Sequence, residues 1–69
     1  MVLLILRGRE SKPVTVDADM ETVLSHLQRP GFVAFSTVVF HDGRTTVSHT
    51  ERRHYNTHHI VEVRPSPKL

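Results

Sequence analysis

Short apolar runs alternate with polar punctuation along the chain, and their spacing predicts six elements. Val2 to Leu6 is an unbroken apolar run of strand length. A run without alternation predicts a strand covered on both faces. Arg7-Gly8-Arg9-Glu10-Ser11 follows as a polar turn. Lys12 to Val16 then predicts a second strand, with Val14 and Val16 on one side and Thr15 on the other. Pro13 lacks a backbone donor and favours a sheet edge. Together the two segments predict a hairpin.

Met20, Val23, Leu24 and Leu27 recur at i, i+3, i+4 and i+7, the stripe of an amphipathic helix. Asp17 or Asp19 can cap its start, and Glu21 places negative charge in the first turn, where the helix dipole favours it. Arg29 falls in the last turn and Pro30-Gly31 stops the helix. The pattern predicts a helix from Ala18 to Arg29.

Phe32 to Phe40 is rich in aromatic and β-branched residues and predicts a long strand, largely apolar on both faces. Asp42-Gly43 is a strong hairpin signal, because a type I′ turn needs positive φ at both central positions. Arg44 to His49 predicts the returning strand, with Val47 inward. Thr50 to His58 is polar and aperiodic and reads as a loop. His59 to Arg64 predicts a closing strand, with His59, Val61 and Val63 on one face and Ile60 and Glu62 on the other.

The predicted order is β-β-α-β-β-β, an α+β domain over residues 1–64 with a flexible tail over 65–69. A helix with one apolar stripe covers one face of an antiparallel sheet. The first and third strands are nevertheless apolar on both faces. Either the sheet curls into a small barrel-like form, or its second face meets another subunit. The expectation is a barrel-like sheet that also makes homo-oligomer contacts.

Composition narrows this picture. Sixty-nine residues suffice for one domain. A chain of this size buries only about 60% of its unfolded surface, so it usually draws stability from disulfides, a metal, oligomerisation or a very regular core. The absence of cysteine removes disulfides. A 38% hydrophobic and 23% charged composition argues against disorder. The N-terminal apolar run falls far short of the roughly 20 residues of a membrane span, and of a signal-peptide core. The expected setting is cytoplasmic, without membrane contact.

The net charge of +2 is mild but unevenly distributed. From Arg44 onward five basic residues (Arg44, Arg52, Arg53, Arg64, Lys68) face two acidic ones, Glu51 and Glu62. The segment from Arg52 to Asn56 combines arginine with tyrosine and asparagine. Arginine binds phosphate bidentately, tyrosine offers a stacking face and asparagine can read adenine. Arg44, Arg52, Arg53, His54, Tyr55, Asn56 and Arg64 are therefore the candidate binding residues, for nucleic acid or for a partner protein. Arg7-Gly8-Arg9 forms a second basic tip, which joins that surface if the first strand lies beside the last.

His49, His54, His58 and His59 raise the question of a metal, with His49 and His59 able to approach across a long hairpin. A structural zinc site needs four ligands, and no cysteine is present to supply one. The histidines read as solvated loop residues or as contacts to phosphate and base, and no metal or cofactor is assigned. No G-x-S-x-G, H-E-x-x-H, P-loop or G-x-G-x-x-G pattern occurs. His41 beside Asp42, and His26 beside the helix stripe, supply single imidazoles without a motif around them. The expectation is a non-catalytic interaction module, of phage or mobile-element origin, that binds a partner protein. The alternative is a nucleic-acid-binding module using the basic C-terminal half.

Over residues 31–64 the pattern runs from a long apolar strand through Asp42-Gly43 and a Thr/Val strand to His58-His59-Ile60-Val61-Glu62-Val63-Arg64-Pro65. It is loosely similar to short actinobacterial and phage proteins that end in a His-Ile-x-x-Val strand. It also resembles small Sm-like and SH3-like barrels, in which a late strand closes the sheet. Sm-like proteins begin with their helix, whereas here the helix follows the first hairpin. The resemblance implies a curled sheet, and no functional residue is carried over from it.

Overall fold

The computed structural model describes residues 1–40 and 47–66. The Asp42-Gly43 turn, His41 and Arg44 lie outside the described residues. The strands are β1 (Val2–Leu6), β2 (Val14–Val16), β3 (Phe32–Phe40), β4 (Val47–Asn56) and β5 (Ile60–Pro65). The helix α1 is Met20–Leu27, and a 3-10 turn, Thr57–His59, joins β4 to β5. The fold is α+β, with five antiparallel strands in one sheet ordered β4-β3-β2-β1-β5. The first strand does lie beside the last: Leu4 pairs with Val63 and Leu3 with Arg64.

Helix α1 is shorter than the sequence pattern predicts. Its start is set by Asp19, whose side chain accepts a hydrogen bond from the Thr22 backbone N–H at 2.8 Å. Asp19 rather than Asp17 is therefore the cap. At the other end the backbone before Pro30 is pushed away from helical geometry. Gly31 then turns the chain with φ of +112°, a region that residues bearing a Cβ rarely occupy. Val23 is fully buried and Met20 and Leu27 half-buried, but Leu24, the fourth residue of the predicted stripe, points largely to solvent.

The largest correction concerns residues 50–58. The polar segment from Thr50 to Asn56 is not a loop but most of β4. It pairs with β3 from Phe32↔Asn56 to Val39↔His49. Nine residues of β3 offer a full-length backbone partner, and ladder hydrogen bonds do not require apolar side chains. The second correction concerns β5. A register shift between Ile5 and Leu6 sets Ile60 opposite Leu6 and Val63 opposite Leu4. Ile60 and Val63 thus both pack against the core, and Val61 is exposed. An extra residue in one strand breaks the period-two alternation. At its end β5 includes Pro65, and Ser66 N–H donates to the Met1 carbonyl at 3.0 Å, past the expected start of the tail.

Strands β4 and β5 are the two edges of the sheet. In a flat sheet four spacings of about 4.8 Å would hold them about 19 Å apart. The Asn56-to-Ile60 connection spans four Cα steps, at most about 15 Å fully extended and much less in a 3-10 turn. The sheet must therefore curl until its edges approach at this end, as the barrel-like expectation held, yet it does not close. Hydrogen bonds from backbone N–H groups hold the crossing in place. Thr57 N–H donates to Gly31 O at 2.8 Å, Gly31 N–H to Thr57 Oγ1 at 3.2 Å, and Arg7 N–H to His59 O at 2.7 Å.

The core fills the inner face of the curl. Val2 and Leu4 of β1, Val16 of β2, Val23 of α1 and Val33 and Phe35 of β3 form one buried cluster. Strand β2 is short and meets β3 at Val16↔Thr37, so the first half of β3 runs on past it. Helix α1 packs there, with Val23 in the core and the His26 ring 5.6 Å from that of Phe35. On the outer face Ile5, Thr15 and Val38 are also buried, whereas Leu3, Ala34 and Ser36 are half-buried and Phe32 is exposed. The outer face of β1 and β3 is thus covered only in part, less than their unbroken apolar runs predict.

Candidate functional site

Strand alternation divides the candidate residues between two faces. Glu51, Arg53 and Tyr55 lie on the inner face with their partners Thr37, Phe35 and Val33. Arg52, His54 and Asn56 lie on the outer face with Ser36, Ala34 and Phe32. The segment is thus two separate surfaces rather than one loop.

Tyr55 is held at the edge of the core. Its hydroxyl is hydrogen-bonded to Thr37 Oγ1 at 2.7 Å, and its ring lies 6.5 Å from Phe35. Asn56 caps the 3-10 turn, its Oδ1 accepting from His58 N–H at 3.0 Å. Arg53 donates to Glu51 Oε2 through Nε at 3.0 Å and Nη2 at 2.7 Å. The other Glu51 oxygen meets His49 Nε2 at 2.9 Å. These bonds, that to His49 first and that to Arg53 second, hold the Glu51 carboxyl below the usual carboxylate range. Glu51 in turn raises the Arg53 guanidinium. On β5, Arg64 grips both oxygens of Glu62, which lowers the carboxyl and raises the guanidinium. The two acidic residues of the basic half are therefore each joined to an arginine two positions away on the same strand face.

Arg52 is different. It makes no hydrogen bond or ion pair among the described residues. It borders an open groove of about 440 Å³ where the start of β3 and the end of β4 run beside α1. The opposite wall is the last turn of α1, with Ser25 and His26, and the segment that follows it, with Arg29 and Pro30. The first half of β3 contributes Phe32, Val33 and Ala34. Phe32 is 73% exposed, unusual for a phenylalanine of a central strand. His26 Nδ1 is bonded to the Thr22 carbonyl at 2.8 Å, which fixes the ring on the helix flank. The sequence offered Arg29 as a helix-end residue and Phe32 as a strand residue. The β3–β4 register and the position of α1 bring both to the same groove as Arg52.

The histidines do not gather. His49 and His54 are five residues apart on one strand and so lie on opposite faces. His49 is about 23 Å along β4 from Asn56, and His58 and His59 lie beyond it. His49 and His59 accordingly do not meet across a hairpin, because β4 and β5 are not paired. Among the described residues no group of three or more His, Asp or Glu is arranged to hold a metal ion. A second hollow, of about 400 Å³, lies at the β1–β2 turn and is lined in part by Arg9 and Lys12. No helix of the described residues is long and apolar enough to cross a membrane. Comparison with protein-family models, with curated proteins and with solved structures finds no match.

Proposed function

We propose that this chain is a small non-catalytic interaction module that binds a partner protein on the outer face of its sheet. The observation that carries the reading is Phe32, 73% exposed beside a groove that Arg29 and Arg52 also line. Aromatic and arginine side chains are the types enriched where proteins meet. The remaining candidates support the same reading from the other side. Arg53 and Arg64 each stand beside a carboxylate, and Tyr55 is bonded to Thr37, so the net positive charge along β4 and β5 is low.

The test is affinity capture with the wild-type chain and with Phe32→Ser, washed at rising salt. A partner held by apolar burial stays bound at about 0.5 M salt, where phosphate contacts weaken steeply. Loss of the same partner in Phe32→Ser supports the reading, and equal capture by both chains overturns it.

A nucleic-acid reading keeps one specific observation in its favour. Among the described residues no carboxylate lines the groove that holds Arg29, His26, Arg52 and Phe32. Salt-sensitive oligonucleotide binding that is lost in Arg52→Ala would put that reading first.

A further inference from the structure

The chemistry of the groove narrows the kind of partner segment that fits it. Two guanidiniums come from different segments, Arg29 from the turn after α1 and Arg52 from β4. Neither has an ion-pair or hydrogen-bond partner among the described residues. The nearest acidic residue on β4, Glu51, faces the other side of the sheet and is engaged by Arg53 and His49. Two like charges facing one concavity raise its potential for an anion, and a planar guanidinium matches a carboxylate bidentately. Beside them Phe32 and Pro30 supply an apolar wall, and Ala34 is small enough to leave the floor open.

The anion source follows from the surroundings. A single strand of nucleic acid needs a cationic track that follows several phosphates, with successive stacking faces. Here the described lining of the groove supplies two guanidiniums, Arg29 and Arg52, rather than a track of them. Arg53 is neutralised on the inner face and Arg64 on the opposite edge, and the whole chain carries only +2. One exposed phenylalanine offers one apolar contact rather than a ladder of stacking platforms.

We infer that the groove between α1 and β4 takes a short acidic segment of the partner protein, with a carboxylate between Arg29 and Arg52 and a neighbouring apolar side chain against Phe32. The inference rests on the partner-protein reading above.

The experiment uses the full chain and three labelled probes: a blocked peptide alternating Glu with Leu, the same peptide with Gln for Glu, and a single-stranded oligonucleotide. Fluorescence anisotropy is expected to show binding of the acidic peptide alone. In the Arg29→Gln/Arg52→Gln double variant that binding falls by about tenfold or more. Phe32→Ser weakens it several-fold, and Arg9→Gln at the β1–β2 turn leaves it unchanged. All of these side chains are exposed, and circular dichroism checks that each variant keeps its fold. Acidic-peptide binding that ignores the double substitution places the carboxylate elsewhere and overturns the groove assignment, while the partner-protein reading stands. Oligonucleotide binding in place of peptide binding overturns both. Failure of every probe overturns the groove assignment. Light scattering that shows a dimer broken by Phe32→Ser assigns the groove to a second copy of the chain, and also overturns it.

Discussion

Side chains two positions apart on a strand point the same way, and this one rule explains most of the charge pairing in the molecule. Glu51 with Arg53 and His49, and Glu62 with Arg64, are both i, i+2 pairs. Their carboxyls lie lower in the folded chain than in the unfolded one. A depressed folded value contributes stability above the unfolded value, and this is lost as pH falls through the folded value. All of these groups are solvent-exposed, so the contribution is small and screened by salt. In melts taken from pH 7 down to about 3, Glu51→Gln/Glu62→Gln is expected to show a shallower acid decline than wild type. Parallel declines would mean that the pairs contribute no stability. Tyr55 poses a different case, because its hydroxyl meets buried Thr37. Tyr55→Phe removes that bond and should cost about 1 kcal/mol in urea unfolding. A tyrosine acting solely as a ligand platform would show no such loss.

Among the elements, Gly31 links the end of α1, the start of β3 and the 3-10 turn. An added Cβ there would meet nothing within 4 Å, so crowding is not the issue. The backbone at φ +112° is. Gly31→Ala should therefore destabilise by about 1 kcal/mol or more despite the open space. A neutral result would show that the turn relaxes without strain. Strand β4 shows how an element can be hidden from pattern reading. Glu51 and Arg53 occupy inward register positions that usually hold apolar residues, so the period-two signal vanishes. Charged side chains of this kind also guard an edge strand against pairing with other chains. Histidine and arginine in that stretch read as a loop because their side chains carry no alternation, although the backbone partner, β3, is the preceding strand.

At the scale of the whole molecule the fold rests on few residues. Leu4, Val2, Val16 and Val23 are the fully buried side chains of the described core. A domain of this length has a stability of about 3 to 10 kcal/mol, and Leu→Ala at a core site costs about 2 to 5. Leu4→Ala is thus expected to leave much of the chain unfolded at 25 °C, as read by circular dichroism and urea titration. A cooperative transition at the wild-type midpoint would mean that the core is broader than this cluster. The homo-oligomer expected from the sequence is tested by multi-angle light scattering at micromolar concentration. A monomer would mean that burial of Ile5 and Val38 within one chain is sufficient.

The sequence by itself determined the elements whose signals are local. The run Val2–Leu6, the run Phe32–Phe40 and the α1 stripe each carry their own periodicity or continuity. Asp19 and Pro30-Gly31 carry their own stereochemistry. Those signals sufficed for an α+β domain, and because one helix could not cover two apolar faces they left a curled sheet or a second subunit as the alternatives. Tertiary structure decided what depends on register. The β3–β4 pairing turned residues 50–56 into a strand, sent Arg53 and Tyr55 inward and left Arg52 outside. The shift in β5 exchanged the faces expected for Ile60 and Val61. The candidate groove belongs wholly to this second class. Arg29, Phe32 and Arg52 are at most 23 residues apart in sequence, yet no local pattern joins them. Which side chains converge is set by long-range strand pairing and helix packing, whose energetics are summed over the whole core rather than written at any one position.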